Sequence, residues 1–328
     1  MKDVARLAGV SLGTVSNVLN RPDVVAPATR SRVEAAIRSL DFVPSAAARA
    51  MRARRSRVVG LIVPDISNPF FTAVARGVED ACLEAGFAVI LCNSDENAAR
   101  EDRYLGVLDS QRVGGILITP ARKSLKPLSR FIDQGVAVAL LDNDTATTEA
   151  CSASVDDELG GRLAAEHLRG LGHTTIGWLA GPSDIPQVAE REAGLVAAAA
   201  GARIVRIPAA QMTTTAADEA MERAVSQGFD GTALVCANDL LAFGAIRALT
   251  RRGYRIPQDV SIVGYDDIDF ASSAAVPLTS IRQPKYELGF AAASMVIAEV
   301  DNPASHAHQR VKFQPQLVVR ESTAAVPA

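Results

Sequence analysis

The sequence predicts an α/β protein, with a small all-α helix-turn-helix head followed by a body of two doubly wound parallel-sheet subdomains. Three observations carry this. The first is that residues 2–19 read as two short helices broken at Gly9. The second is a strand-then-helix alternation that runs twice along the rest of the chain. The third is charge: residues 1–57 hold eleven Lys and Arg against four acids, a net of +7, while the whole chain is −3, so residues 58–328 carry −10. A basic head on an acidic body localises a polyanion to the head.

In the head, Val4, Ala5 and Ala8 share one helix face, and Gly9 supplies the left-handed residue of a sharp turn. Ser11 is placed to cap a second helix opening at Leu12, whose Val15 and Leu19 pack back on the first. Val33, Ala36, Ile37 and Leu40 mark a third helix, with Pro27 in its first turn. In a helix-turn-helix the second helix enters the major groove, so double-stranded DNA is the expected partner.

After residue 57, strands are predicted at Val58–Val63, Phe87–Cys92, Gly115–Ile118 and Val136–Leu141, with helices near Phe70–Ala85, Asn97–Gln111 and Leu125–Gln134. A second set has strands at Thr175–Leu179, Arg203–Ile207, Ala233–Cys236 and Val260–Val263. Its helices lie near Glu158–Leu171, Gln187–Ala200, Thr214–Ser226 and Leu240–Arg252. Ligands of such sheets bind beyond the carboxyl ends of the strands. With 48% hydrophobic residues the chain can bury a large core, and no apolar run is long enough to span a membrane.

Several chemistries are not signalled. Neither G-x-G-x-x-G after a strand nor G-x-x-x-x-G-K-[ST] occurs, so no nucleotide cofactor is predicted. Asp266-Asp267 has no nucleophile, histidine or metal pattern beside it, and reads as ligand hydrogen bonding or loop capping. Cys82, Cys92, Cys151 and Cys236 are scattered and read as reduced structural thiols. His306 and His308 sit in a polar stretch that reads as a loop, so no metal site is assigned.

These residues resemble the lactose-repressor (LacI/GalR) family of bacterial transcription regulators over nearly the whole chain. The resemblance rests on Asp3-Val-Ala-Arg-Leu-Ala-Gly-Val-Ser11, Thr14-Val-Ser16, Thr29-Arg30, Phe42-Val-Pro44, Gly60-Leu-Ile-Val-Pro64 and Asn68-Pro-Phe-Phe71. It continues through Leu171-Gly-His173, Gly181-Pro182, Ala237-Asn-Asp239, Pro257-Gln-Asp-Val-Ser261, Val263-Gly-Tyr-Asp266 and Thr279-Ser-Ile-Arg-Gln-Pro284. It implies a periplasmic-binding-protein-like body and a division into a DNA-binding domain over 1–44 and a hinge helix and linker over 45–57. The effector-binding and dimerisation domain covers 58–322, and 323–328 form a tail. The N-subdomain is then about 58–157 with 285–314, and the C-subdomain about 158–284 with 315–322.

The same resemblance assigns roles. Leu12, Gly13 and Asn17 fall where the recognition helix meets base edges, while Thr14, Ser16 and Asn20 read as phosphate-contacting or capping groups. Ser45–Arg52 aligns with the hinge helix. Eight residues are too few to hold a helix alone in water, where about 12–15 are needed. Met51 stands at the position that wedges into the minor groove, with Arg52, Arg54 and Arg55 alongside phosphates or in the minor groove. The effector positions are Phe70, Phe71, Asp142, Gln187, Arg191, Asn238, Asp266 and Gln283, a set suited to the apolar face and hydroxyls of a sugar or sugar derivative.

Departures from the family pattern refine the expectation. Met1 stands at the family's first helix, without the few residues that usually precede it. Ala26 replaces a common Ser cap, a loss of about 1 kcal/mol. Ile185-Pro186 disfavours a purine-type ligand. The tail lacks Leu heptads, which predicts a homodimer. The resulting expectation is a cytoplasmic, non-enzymatic, ligand-responsive repressor reading a pseudo-palindromic operator. The alternatives, a solute-binding protein or a sugar-metabolising enzyme of the same architecture, need a signal peptide or a catalytic motif.

Overall fold

The computed structural model describes residues 1–20, 22–40, 42, 56–121, 124–143 and 150–326. The chain divides into two compact units, Met1–Ser56 and Arg57–Ala328.

In the first unit, α1 (Lys2–Ala8) ends at Gly9, whose φ of 62° is left-handed. The Val10 amide reaches back to the Ala5 carbonyl at 3.0 Å, closing the turn, and Val10 packs on the core. The helix α2 (Leu12–Asn20) is capped by Ser11, whose Oγ accepts from the Thr14 amide at 3.1 Å. A 3₁₀ turn over Pro22–Val24 leads to α3 (Pro27–Ser39), where Ala26 provides no side-chain cap. Val4, Ala8, Val15, Val18 and Val33 form the small core.

The second unit contains two six-stranded sheets. The first is built from β1 (Val58–Val63), β2 (Ala88–Asn93), β3 (Gly115–Ile118), β4 (Ala137–Leu141), β5 (Cys151–Val155) and β11 (Arg310–Phe313). Its order is β11-β5-β4-β3-β1-β2, and every pairing is parallel. Period-two alternation gives each face its own core. Val59, Leu61 and Leu117 pack with α4 (Pro69–Glu84) and α12 (Lys285–Asp301), while Ile62, Ile116 and Ile118 pack with α5 (Ala98–Ser110) and α6 (Lys126–Asp133).

The second sheet has β6 (Thr175–Ala180), β7 (Arg203–Pro208), β8 (Ala233–Cys236), β9 (Ser261–Asp266), β10 (Thr279–Arg282) and β12 (Gln316–Val318), in the order β12-β10-β9-β8-β6-β7. Only β12 runs antiparallel to its neighbour. The helices α7 (Asp157–Gly170), α8 (Pro186–Ala198), α9 (Thr214–Ser226) and α10 (Asp239–Arg251) cover it, and α11 (Asp269–Ser273) is a single short turn. Among the described residues, no helix is long and apolar enough to cross a membrane.

The approach of α7 to α8 is set by glycine. A Cβ on Gly161 would lie 1.9 Å from the Arg191 carbonyl oxygen, and one on Gly194 would lie 1.8 Å from that of Glu158. Backbone therefore touches backbone, which brings Asp157 and Arg191 together. Gly161→Ala should lower the urea midpoint by the equivalent of about 1–3 kcal/mol, as overpacking does. Gly170→Ala on the same helix, where a Cβ meets nothing, should leave it unchanged or raise it slightly. Equal effects of the two would show that helix contact is not what Gly161 provides.

Candidate functional site

A cleft of about 690 Å³ lies at the carboxyl edges of both sheets of the body. Segments following β1, β2, β3 and β4 line one side, and segments following β6, β7, β8 and β9 line the other. Asn68 starts α4 as its N-cap, Oδ1 accepting from the Phe70 amide at 3.0 Å. This fixes Phe70 and Phe71 in the first turn, their rings edge to face at 5.0 Å between centroids. Phe70 is buried and Phe71 half-buried, so Phe71 is the ring available to a ligand.

Arg191 is the electrostatic centre. Its Nε donates to Asp157 Oδ1 at 2.7 Å, its Nη1 to the Ala237 carbonyl at 2.7 Å, and its guanidinium lies 3.7 Å from the centre of the Tyr265 ring. Tyr265 in turn donates to Asp157 Oδ1 at 2.8 Å. Burial works against the charge on Arg191, but the field of Asp157 and the neighbouring carboxyls more than offsets it and raises its pKa.

Three aspartates line the cleft in left-handed backbone, Asp95 at φ 55°, Asp142 at φ 50° and Asp266 at φ 102°. Such conformations cost on the order of 1–3 kcal/mol each and persist where the surroundings hold them. Burial, then repulsion from Asp157, raises the Asp142 carboxyl to about 8. Among the described residues its Oδ1 has no hydrogen-bond partner, nor has Oγ1 of Thr119 in the same cleft, although both residues are buried. Gln187 bonds the backbone carbonyl of Asp142 through Nε2. Asp266 is pushed up by burial to about 6, while Arg191, Gln283 and Asn68 pull it back.

Of the eight effector positions expected from sequence, Phe70, Phe71, Asp142, Gln187, Arg191, Asn238 and Asp266 line the cleft. Gln283 does not. It is 1% exposed and donates to Asp266 Oδ1 at 2.7 Å. Asn238 also caps α10, Oδ1 accepting from the Leu241 amide at 2.8 Å. Sequence reasoning missed Thr119 and Asp157, and it used Asn68 and Tyr265 only as parts of motifs. The N-cap of α7 is Asp156, whose Oδ1 accepts from the Leu159 amide at 2.9 Å. Asp157 is the one that turns to Arg191.

In the head, Leu12 (46% exposed), Gly13 and Asn17 lie exposed along α2. Thr14 and Ser16 are half-buried, and the Thr14 hydroxyl lies 2.9 Å from that of Ser11, within the cap. Asn20 is the last residue of α2. Met51, Arg52, Arg54 and Arg55 lie outside the described residues.

Residues 1–45 match the model of the bacterial regulatory proteins, lacI family, and residues 165–323 that of the periplasmic binding protein-like domain. The ribose operon repressor of Escherichia coli is 36% identical over 329 residues, covering 98% of this chain and 99% of that protein. The repressor PurR of Photobacterium profundum is 35% identical, with 98% of each chain covered. Among solved structures, the lac repressor dimer bound to operator and the anti-inducer ONPF aligns over 98% of both chains with a TM-score of 0.87 at 27% identity. A LacI family regulator from Enterococcus faecium with bound ribose aligns over 82% of this chain and 100% of that one, with a TM-score of 0.76 at 30% identity.

Proposed function

The chain belongs to the lacI family of bacterial regulatory proteins, and from that premise we propose that its cleft takes an uncharged sugar whose binding controls the head's hold on a pseudo-palindromic operator. The observation that carries the choice of ligand is the pair of buried groups without a partner among the described residues, Asp142 Oδ1 and Thr119 Oγ1, in a cleft that also presents Phe71. A buried polar atom left without a partner costs about 1–3 kcal/mol, and a ligand hydroxyl removes that cost. The aromatic face suits the C–H side of a sugar ring.

Charge selects further. Among the described residues, six carboxyls and two guanidiniums line the cleft, with Asp157 neutralising Arg191 and Arg100 paired to Asp95. A phosphorylated sugar would meet repulsion from Asp65, Asp95, Glu96 and Asp184, so a neutral polyol is favoured. The ribose-bound regulator of Enterococcus faecium and the ribose operon repressor of Escherichia coli support a sugar. The cleft walls come from both sheets, so a ligand that bridges them favours one arrangement of the body by its differential affinity. The division of labour in the head is proposed as Leu12, Gly13 and Asn17 reading bases, with Thr14, Ser16 and Asn20 and the hinge residues Met51, Arg52, Arg54 and Arg55 positioning them. The protein acts as a cytoplasmic homodimer without catalytic chemistry.

The test is fluorescence anisotropy on palindromic fragments from beside the gene, at near-physiological salt, with ribose, other free sugars and their phosphates. A free sugar should shift operator affinity while its phosphate does not. Asn17→Ala should flatten the preference for operator over scrambled duplex by roughly tenfold, in line with about 1–3 kcal/mol per bidentate base contact. A shift by phosphates alone, or an unchanged preference in Asn17→Ala, would overturn the respective assignment.

A further inference from the structure

At the end of the first sheet remote from the cleft, four ligand-type atoms converge that are far apart in sequence. Cys151 is the first residue of β5, Glu299 lies in the last turn of α12, and His306 and His308 lie in the segment between α12 and β11. The Cys151 Sγ is 3.2 Å from His306 Nε2 and 3.8 Å from His308 Nδ1. Glu299 Oε2 is 3.8 Å from the former nitrogen and 3.9 Å from the latter. All four atoms lie within 4.8 Å of one another.

We propose that Cys151, Glu299, His306 and His308 form a tetrahedral site for a divalent transition-metal ion of the zinc class. Zinc bonds of about 2.0–2.3 Å place neighbouring ligand atoms of a tetrahedron roughly 3.3–3.6 Å apart, so the observed separations need only close by a fraction of an ångström to about one ångström, a side-chain adjustment. One thiolate, two imidazoles and one carboxylate select zinc-like ions over magnesium or calcium, which take oxygen. A single Cys–His hydrogen bond would need only one ring nitrogen, whereas here two imidazoles address the same sulfur.

The surroundings supply the outer support that such sites use. The Gln309 amide donates to Cys151 Sγ at 3.4 Å, and the Gln309 carbonyl accepts from the Ser152 amide at 3.0 Å, locking the segment to β5. The His306 amide donates to the Asn302 carbonyl at 3.1 Å, which returns the chain from α12 toward the sulfur. His306 and Cys151 are shielded, while the His308 side chain is 40% exposed and gives the ion its entry. The ion would fasten the 302–309 segment to the sheet.

The experiment is a cobalt titration of the full chain after chelator treatment, followed by absorption, with zinc as competitor. One cobalt per chain should bind, with a thiolate-to-metal charge-transfer band and tetrahedral ligand-field bands, and zinc should displace it. Cys151→Ser should remove the charge-transfer band, and His308→Ala, at an exposed position, should weaken zinc at least about tenfold and abolish the rise in Tm that zinc gives the parent. Absence of saturable uptake, a charge-transfer band that survives Cys151→Ser, or unaltered zinc affinity in His308→Ala would each overturn the proposal. Should Cys151→Ser fail to fold, the His308→Ala result decides alone.

Discussion

Arg191→Met should destabilise the body by about 3–5 kcal/mol and abolish sugar binding, because it removes one partner of a buried ion pair. Arg191 and Asp157 are 2.7 Å apart with side chains 6% and 3% exposed, so neither has water to fall back on. Loss of the guanidinium leaves Asp157 with the Tyr265 hydroxyl as its remaining side-chain partner among the described residues, takes a donor from the Ala237 carbonyl and strips the cation from the Tyr265 ring. Adding Asp157→Asn should recover a good part of the stability, since an amide still accepts from Tyr265 and carries no charge to strand. It should not recover binding. Urea unfolding of the two single variants and the double, read as a cycle, measures the coupling. Additive single effects would mean that the pair contributes nothing as a pair.

How far the site could be read in the sequence follows from what each element leaves in the chain. Strands such as β1 and β3 are continuous apolar runs, and their bounds coincide with the runs themselves, Val58–Val63 and Gly115–Ile118. The strand β5 is Cys-Ser-Ala-Ser-Val, buried at every position yet half polar, so no apolar run announced it. Ser152 and Ser154 are small enough to be buried there at 2% and 4% exposure. The helix α12 was not marked by periodicity either. It packs against the sheet and α4 with apolar residues around much of its circumference, and its backbone meets α4 where a Cβ on Gly289 would lie 2.1 Å from the Val74 carbonyl oxygen.

Two of the elements that the sequence did not mark, β5 and α12, carry Cys151 and Glu299. A metal cluster assembled from β5, α12 and the segment after it has no spacing motif, because its first and last ligands are 157 positions apart. The cleft was more accessible to sequence reasoning because its residues follow strand ends, where a doubly wound sheet must bind its ligand. Thr119 escaped since a threonine after Ile118 looks like any strand terminus. Its significance lies in having no partner once buried, and that is a property of three dimensions.

Asp142→Asn should make the unliganded protein more stable as pH rises while removing most of its sugar affinity. The Asp142 carboxyl is raised to about 8 by burial and then by Asp157, against an ordinary value of 3.8. Between these two values the folded chain holds a proton that the unfolded chain has released. Stability therefore falls with increasing pH across that window, the loss being complete only above the folded-state value. Asparagine keeps the shape and cannot ionise. Parent and variant should thus unfold at similar urea concentrations near pH 4, with the variant pulling ahead toward pH 8. Asp266, raised to about 6, titrates in both proteins, and its repulsion of Asp142 is part of what the variant removes. Binding has the opposite sign. Hydroxyls donating to Asp142 favour its carboxylate, so parent affinity should climb from pH 6 to pH 8 with release of a proton, visible in calorimetry as a dependence on buffer ionisation heat. The variant should show neither the climb nor the proton, and should bind roughly ten- to a hundredfold more weakly, as loss of a charged acceptor costs about 1.5–3 kcal/mol. A stability difference that stays flat between pH 5 and pH 8 would remove Asp142 as the buried acid of the cleft, and with it the reason that so strained a residue is kept there.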